Sequence, residues 1–144
     1  MTTVSEILEA KGRDVLQIDA SATVFDAIKK MVDGNVGALL VTEGGDLAGI
    51  VTERDYLRRV TLEGRTEKGT QVSEIMSPEL VYVTPDTSVE ECMAVMTERR
   101  IRHLPVLDEG RKVVGIVSIG DVVKFQSKQQ DVQIRLLTDY ISSA

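Results

Sequence analysis

Apolar positions along the chain fall into two matching series. Starting at Val24 they recur at Ala27, Ile28 and Met31, and starting at Val89 they recur at Cys92, Met93 and Met96. The i, i+3, i+4, i+7 spacing predicts one amphipathic helix in each half, with a single buried stripe. Thr23 with Asp26 and Thr87 with Glu90 predict capping pairs at the two starts, and Gly34 predicts the end of the first helix. Two short apolar runs follow each helix. Residues 38–41 and 48–52 flank Glu43-Gly44-Gly45-Asp46, and residues 103–107 and 113–118 flank Asp108-Glu109-Gly110-Arg111. Each set predicts two strands joined by a turn. Residues 15–18 and 80–83 predict one earlier strand in each half. Pro105 has no N–H to give, so its strand should have an edge or a bulge there.

The halves share more than periodicity. Gly49-Ile50-Val51-Thr52-Glu53-Arg54-Asp55 returns as Gly115-Ile116-Val117-Ser118-Ile119-Gly120-Asp121, an offset of 115 − 49 = 66 residues. Val4-Ser5-Glu6-Ile7-Leu8 returns as Val72-Ser73-Glu74-Ile75-Met76, an offset of 72 − 4 = 68. Each copy of the latter reads as a helical turn docking a segment to its own module. Residues 63–69 are polar and glycine-bearing and read as the linker. Ile134, Leu137 and Ile141 share a stripe and predict a closing helix over 131–141. The expected domains are therefore 1–66 and 67–144, each a β-α-β-β-α unit. A unit of about 65 residues rarely stands alone. The expected fold is α/β (α+β), with two repeats packed sheet-to-sheet around a pseudo-two-fold axis and two related clefts between them. Two copies are too few for a solenoid.

Composition narrows the function. At 144 residues and 42% hydrophobic, the chain can bury one good core. No apolar run reaches the 18 residues of a membrane span, and the N-terminus lacks the basic and apolar regions of a secretion signal. The lone Cys92 has no intramolecular disulfide partner, which suits a reducing, cytoplasmic setting. A net charge of −6 with 3% aromatic residues argues against nucleic acid. The charge is evenly shared between the halves, so no acidic or basic tail stands apart. No metal-ligand spacing is present, and Gly44-Gly45 reads as a turn rather than a phosphate loop. His103 has no serine, cysteine or second histidine arranged with it, which argues against an enzyme. Cys92 and Met96 read as core.

Two features carry chemistry. Ser/Thr-x-x-Asp before an apolar run is a capping box. It is equally a place where free N–H groups and a hydroxyl meet a phosphate, and where a carboxylate accepts from ribose hydroxyls. Its presence at matching places in both halves favours the binding reading. The second feature is Glu98-Arg99-Arg100-Ile101-Arg102-His103, a cationic cluster in an acidic chain. Arginine suits bidentate phosphate contact. The first half has Gly37-Ala38 where the second has Arg102-His103, so the two clefts cannot be equivalent. Arg54, Arg58 and Arg59 supply cations to the first half, the last two also fitting a solvated face.

Two modules that each end Gly-Ile-Val-Thr/Ser-x-x-Asp, with Ile101-Arg-His-Leu-Pro-Val106 in the second, resemble tandem cystathionine-β-synthase (CBS) domains, a Bateman module. The resemblance covers almost the whole chain. Lys11-Gly12, Thr52-Glu-Arg-Asp55 and Val117-Ser-Ile-Gly-Asp-Val122 resemble the stand-alone two-CBS-domain type. This resemblance implies a regulatory, non-catalytic role. It also implies an adenosine ligand (AMP, ADP, ATP, S-adenosylmethionine or NAD), a homodimer, and an output through the ligand pool or a partner protein. It carries over residue by residue. Asp55 and Asp121 would hold ribose, and Thr52 and Ser118 would touch phosphate. Ser77, Tyr82 and Ile101 would flank adenine in the Asp121 cleft, and Lys11, Val36 and Ala38 would do so in the Asp55 cleft. Arg102 and His103 would meet phosphates, with Arg13 and Arg54 as further contacts. The other readings are a ligand-independent protein–protein interaction module and a small enzyme using His103.

Overall fold

The structure, a computed structural model, describes residues 2–77, 79–126 and 135–136. The chain forms two compact units. The central unit is 14–81, and the terminal unit joins 1–13 to 82–144. The expected division at 66/67 follows the sequence repeat, whereas the units follow contact, and the two part company at the docking segments.

The first helix, α1 (Val4–Lys11), belongs to the terminal unit. The N–H of Val4 donates to the Thr87 carbonyl at 2.9 Å, and the N–H of Ser5 to that of Pro85 at 3.0 Å. Its echo, a single 3₁₀ turn at Val72–Glu74, is bonded into the central unit. There the N–H groups of Val72 and Ser73 donate to the carbonyls of Ala22 and Ala20 at 2.8 and 2.9 Å. The expectation that each segment docks to its own module is therefore corrected: each copy's opening segment completes the other copy's unit.

In the central unit, β1 (Gln17–Asp19) lies parallel to β2 (Ala38–Glu43), which pairs antiparallel with β3 (Asp46–Thr52). The turn between β2 and β3 uses left-handed Gly44 and Gly45. Helix α2 (Val24–Gly34) starts as expected, with the Thr23 hydroxyl accepting from the Asp26 N–H at 3.1 Å. It ends at Gly34 as expected, and the left-handed residue that follows is Asn35, with φ 51°. Gly34 has another constraint, since a Cβ there would strike the Leu16 side chain. Val24, Ala27 and Met31 face Leu39, Val41 and Val51, and Val72 and Ile75 of the docking segment join the same core. Burying an aliphatic side chain of this size contributes about 1.5–3 kcal/mol. Helix α3 (Glu53–Tyr56) runs into a π-turn at Leu57–Thr61, which seats Val60 in this core at zero exposure.

The terminal unit repeats this plan with differences. Helix α4 (Val89–Arg99) is capped by Ser88, which accepts from the Glu91 N–H at 3.1 Å, and not by Thr87 with Glu90. Thr87 instead accepts from the Thr84 N–H. Cys92 and Met96 are buried as expected, while Met93 is partly exposed, so the buried stripe is narrower than its spacing suggests. Strands β4 (His103–Leu107) and β5 (Val113–Ser118) pair antiparallel, with a register shift between Val106 and Leu107, and α5 follows over 119–126. The strand expected at 80–83 reduces to one parallel bridge, Val83 to Val106. Pro105 explains this. Its counterpart Leu40 (105 − 65) donates its N–H to the Leu16 carbonyl, a bond that proline cannot make. The helix expected at 131–141 lies outside the described residues apart from Arg135 and Leu136, which are helical and exposed.

The glycine that opens each repeated motif is set by the docking segments. A Cβ on Gly49 would strike the backbone carbonyl of Ser77, and one on Gly115 would lie 2.6 and 2.9 Å from the Leu8 methyls. A leucine tip can turn aside, whereas the Ser77 carbonyl is fixed by pairing with Ile50. Overpacking costs about 1–3 kcal/mol. Gly49→Ala should therefore lose the upper part of that range or more, and Gly115→Ala the lower part, read from urea midpoints at unchanged m-value. The reverse order would mean that the docking segments are not seated as described.

Candidate functional site: two Ser/Thr-x-x-Asp turns

In the central unit the turn forms where β3 passes into α3. The Thr52 hydroxyl accepts from the Asp55 N–H at 3.2 Å, and Asp55 Oδ2 accepts from the Thr52 N–H at 2.9 Å and its hydroxyl at 3.1 Å. The Glu53 N–H donates to the Gly37 carbonyl at 3.1 Å, and Ala38 pairs with Thr52, which ties the turn to the chain ahead of β2. Burial pushes the Asp55 carboxyl above the ordinary aspartate value of 3.8. The Thr52 hydrogen bonds and the charges of Arg59 and Arg58 oppose this without cancelling it.

The terminal unit builds the same backbone with different charges. Asp121 Oδ2 accepts from the Ser118 N–H at 2.8 Å, and the Ser118 hydroxyl accepts from the Asp121 N–H at 3.1 Å. The Ile119 N–H donates to the Arg102 carbonyl at 2.8 Å, and His103 pairs with Ser118. Lys11 then adds what the central unit lacks. Its ammonium donates to Asp121 Oδ2 at 2.6 Å and to the Ile116 carbonyl at 2.8 Å. Burial acts to raise the Asp121 carboxyl, but the Lys11 and Ser118 contacts outweigh it and hold the group below 3.8. Burial and the Lys11 and Arg102 charges lower His103 below 6.5, against the pull of Asp121. At neutral pH His103 is thus chiefly an uncharged hydrogen-bonding group, and the cations near this turn are Lys11 and Arg102.

Both turns satisfy their own backbone as capping boxes, and both keep a carboxylate and a hydroxyl side by side. Their neighbours differ from expectation. Lys11 was expected beside Asp55 and instead bonds Asp121, because α1 belongs to the terminal unit. Ser77, expected with Asp121, exchanges backbone hydrogen bonds with Ile50 in the central unit. Tyr82 is exposed in the terminal unit, where Ile101 and His103 are half-buried and Arg13 and Arg102 are exposed. In the central unit Ala38 is buried, Val36 is partly exposed and Arg54 is exposed. The cations whose charge reaches Asp55 are Arg59 and Arg58. This agrees with the sequence expectation that they supply cations to the first half, and the π-turn that positions them has no signature in residue spacing. Beside the Asp55 turn, α2, α3 and the start of the π-turn line an open pocket of about 490 Å³, with Ile28, Val32, Val36, Tyr56 and Leu57 among its walls. Among the described residues, no cluster of His, Cys, Asp and Glu is placed to hold a metal, and no helix is long and apolar enough to cross a membrane.

Comparison with known proteins bears on both turns. The CBS-domain model matches residues 3–61 and 72–128, so each match contains one turn. The chain is 43% identical to the mitochondrial CBS domain-containing protein CBSX3 of Arabidopsis thaliana, over 97% of this chain and 72% of that protein. It is 36% identical to the CBS domain-containing protein YhcV of Bacillus subtilis, over 88% and 89%. A solved Burkholderia ambifaria structure, named for signal transduction and CBS domains, superposes with TM-score 0.82 at 54% identity, over 85% of this chain and 92% of that one.

The two carboxylates should titrate on opposite sides of 3.8. For Asp121, whose folded pKa is lowered, the stabilising contribution is complete above 3.8 and is lost as pH falls through the folded value. For Asp55, whose folded pKa is raised, the contribution is complete below 3.8 and is lost as pH rises through the folded value. Carboxyl-carbon NMR titration should show Asp121 below Asp55, and Lys11→Met should move Asp121 upward with little effect on Asp55. A wild-type Asp121 that titrates above Asp55 would refute the Lys11 contact.

Proposed function

Since the chain belongs to the CBS-domain family, with two tandem domains, we propose that it is a regulatory sensor that binds adenine nucleotides and signals to a partner protein. CBS-domain proteins are in general regulatory or signal-transduction modules, and the relatives above are named for these domains and for signalling rather than for a reaction. The observation that carries the proposal is the pair of strand-to-helix turns, each holding a carboxylate against a hydroxyl in the same backbone geometry. A carboxylate there accepts from the two ribose hydroxyls, and the hydroxyl and N–H groups donate to phosphate. AMP, ADP, ATP and NAD share these groups, and S-adenosylmethionine shares the adenosine part. Arg102 and His103 in the terminal unit supply phosphate contacts for which the central unit has Gly37 and Ala38, and Lys11 adds a further cation beside them.

The assembly we propose is a homodimer, supported by the apolar side chains left outside the cores. Val32 and Leu57 at the α2–α3 pocket are more than half exposed. This same surface supports a second reading, in which the chain is a ligand-independent interaction module and its turns are caps only. A reducing compartment such as the cytoplasm suits the buried thiol of Cys92, whose pKa burial pushes up to about 11.

A thermal-shift panel of nucleotides separates the two readings, because a ligand selective for the folded state raises its stability. Calorimetry then orders the turns. A charge-assisted hydrogen bond contributes about 1.5–3 kcal/mol, and about 1.4 kcal/mol is tenfold in affinity. Asp121→Ala should weaken the tightest AMP or ATP binding event tenfold or more, and Asp55→Ala should act mainly on a weaker event. Loss of the tight event in Asp55→Ala alone would reverse the order, and no shift with any nucleotide would leave the interaction module as the reading. Light scattering at micromolar concentration should give a dimer mass, and a monomer with and without nucleotide would remove the proposed assembly.

A further inference from the structure

Lys11 sits where a ribose would compete with it. It is the last residue of α1, and its position is fixed from both sides. The Gly12 N–H closes the helix on the Leu8 carbonyl at 2.7 Å, and Leu8, buried to 1% exposure, packs against Gly115 in β5. The ammonium is thereby delivered to Asp121 Oδ2 and the Ile116 carbonyl. Asp121 Oδ2 then holds two donors, Lys11 Nζ and the Ser118 N–H. The central unit has no lysine at the matching place: the residue 68 positions after Lys11 is Glu79.

We propose that Lys11 is a specificity-determining residue, making the Asp121 turn select phosphorylated adenosine compounds over neutral ones. The inference rests on reading the turn as a ribose site. A neutral nucleoside that donates its ribose hydroxyls to Asp121 Oδ2 competes with the ammonium there, and displacing it leaves that charge without an anion. A nucleotide brings its own anion, so Lys11 exchanges Asp121 for phosphate and keeps a charged partner throughout. Arg102, whose carbonyl accepts from the Ile119 N–H of the same turn, is a second cation beside it. The lysine thus penalises adenosine and assists AMP through one movement of one side chain.

The test is calorimetric titration of the full chain, wild type and Lys11→Met, with adenosine and with AMP. Wild type should prefer AMP. Lys11→Met should bind adenosine about tenfold more tightly than wild type, corresponding to about 1.4 kcal/mol, and its preference for AMP should shrink. Lys11→Arg, which keeps the charge, should behave as wild type. Lys11→Gln, uncharged but still a hydrogen-bond donor, should follow Lys11→Met and serves in its place if the methionine variant unfolds. If removal of the charge leaves adenosine binding unchanged or weaker while AMP still binds, Lys11 does not compete for Asp121 and the inference fails, with the nucleotide reading intact. If wild type binds neither compound, the ribose reading of the turn fails and takes this inference with it.

Discussion

Above Gly49 runs the carbonyl of Ser77, and above Gly115 the side chain of Leu8, each too near for any side chain to intervene. These close approaches are where the opening segment of one repeat is laid across the second hairpin strand of the other. Each also carries core side chains with it. Val72 and Ile75 enter the central core, and Val4, Ile7 and Leu8 are buried in the terminal unit. Without the borrowed segment, each unit would expose aliphatic side chains worth about 1.5–3 kcal/mol apiece. Gly49 is thus a condition on which the central unit closes, and Gly115 gives the Leu8 side chain its room in the terminal unit.

From the same constraint comes the difference between the two turns. Their backbones match almost bond for bond, from the reciprocal Ser/Thr–Asp contacts to the N–H of the next residue reaching back to residue 37 or 102. Their electrostatics do not match. Asp55 is half-buried next to an uncharged threonine, with Arg58 and Arg59 acting as charges on it, and the desolvation prevails. Asp121 has an ammonium in direct contact, and burial loses. A capping box is a local motif that two copies reproduce faithfully. The charge that answers its carboxylate comes from the borrowed segment, and the two segments end in different residues.

Small departures from expectation also trace to single residues. One proline removes the ladder bond that Leu40 makes, so the terminal unit keeps a bridge where the central unit has β1. Asn35 and Arg100 occupy left-handed closing positions at the ends of α2 and α4, although neither is glycine. Gly34 ends α2, and a Cβ there would meet the tip of Leu16. In α4 the cap moved by one residue, because Thr87 is engaged with Thr84 and leaves Ser88 to accept the Glu91 N–H.

By itself, the sequence determined the elements whose physics is local. These are the stripes of α2 and α4, the hairpins around Gly44-Gly45 and Gly110-Arg111, the Thr23 cap, the edge at Pro105, and the two Ser/Thr-x-x-Asp turns with their carboxylates. Each rests on a period or a contact spanning a few residues, which spacing alone reveals. Only the tertiary structure decided which unit each opening segment completes, and therefore that Lys11 answers Asp121 rather than Asp55. That ion pair joins residues 110 positions apart. Nothing in the spacing of two near-identical repeats distinguishes docking on one's own copy from docking on the other. The choice is made by which hairpin's glycine and which core the folded chain brings within reach, and Coulomb and packing forces act only once it has done so.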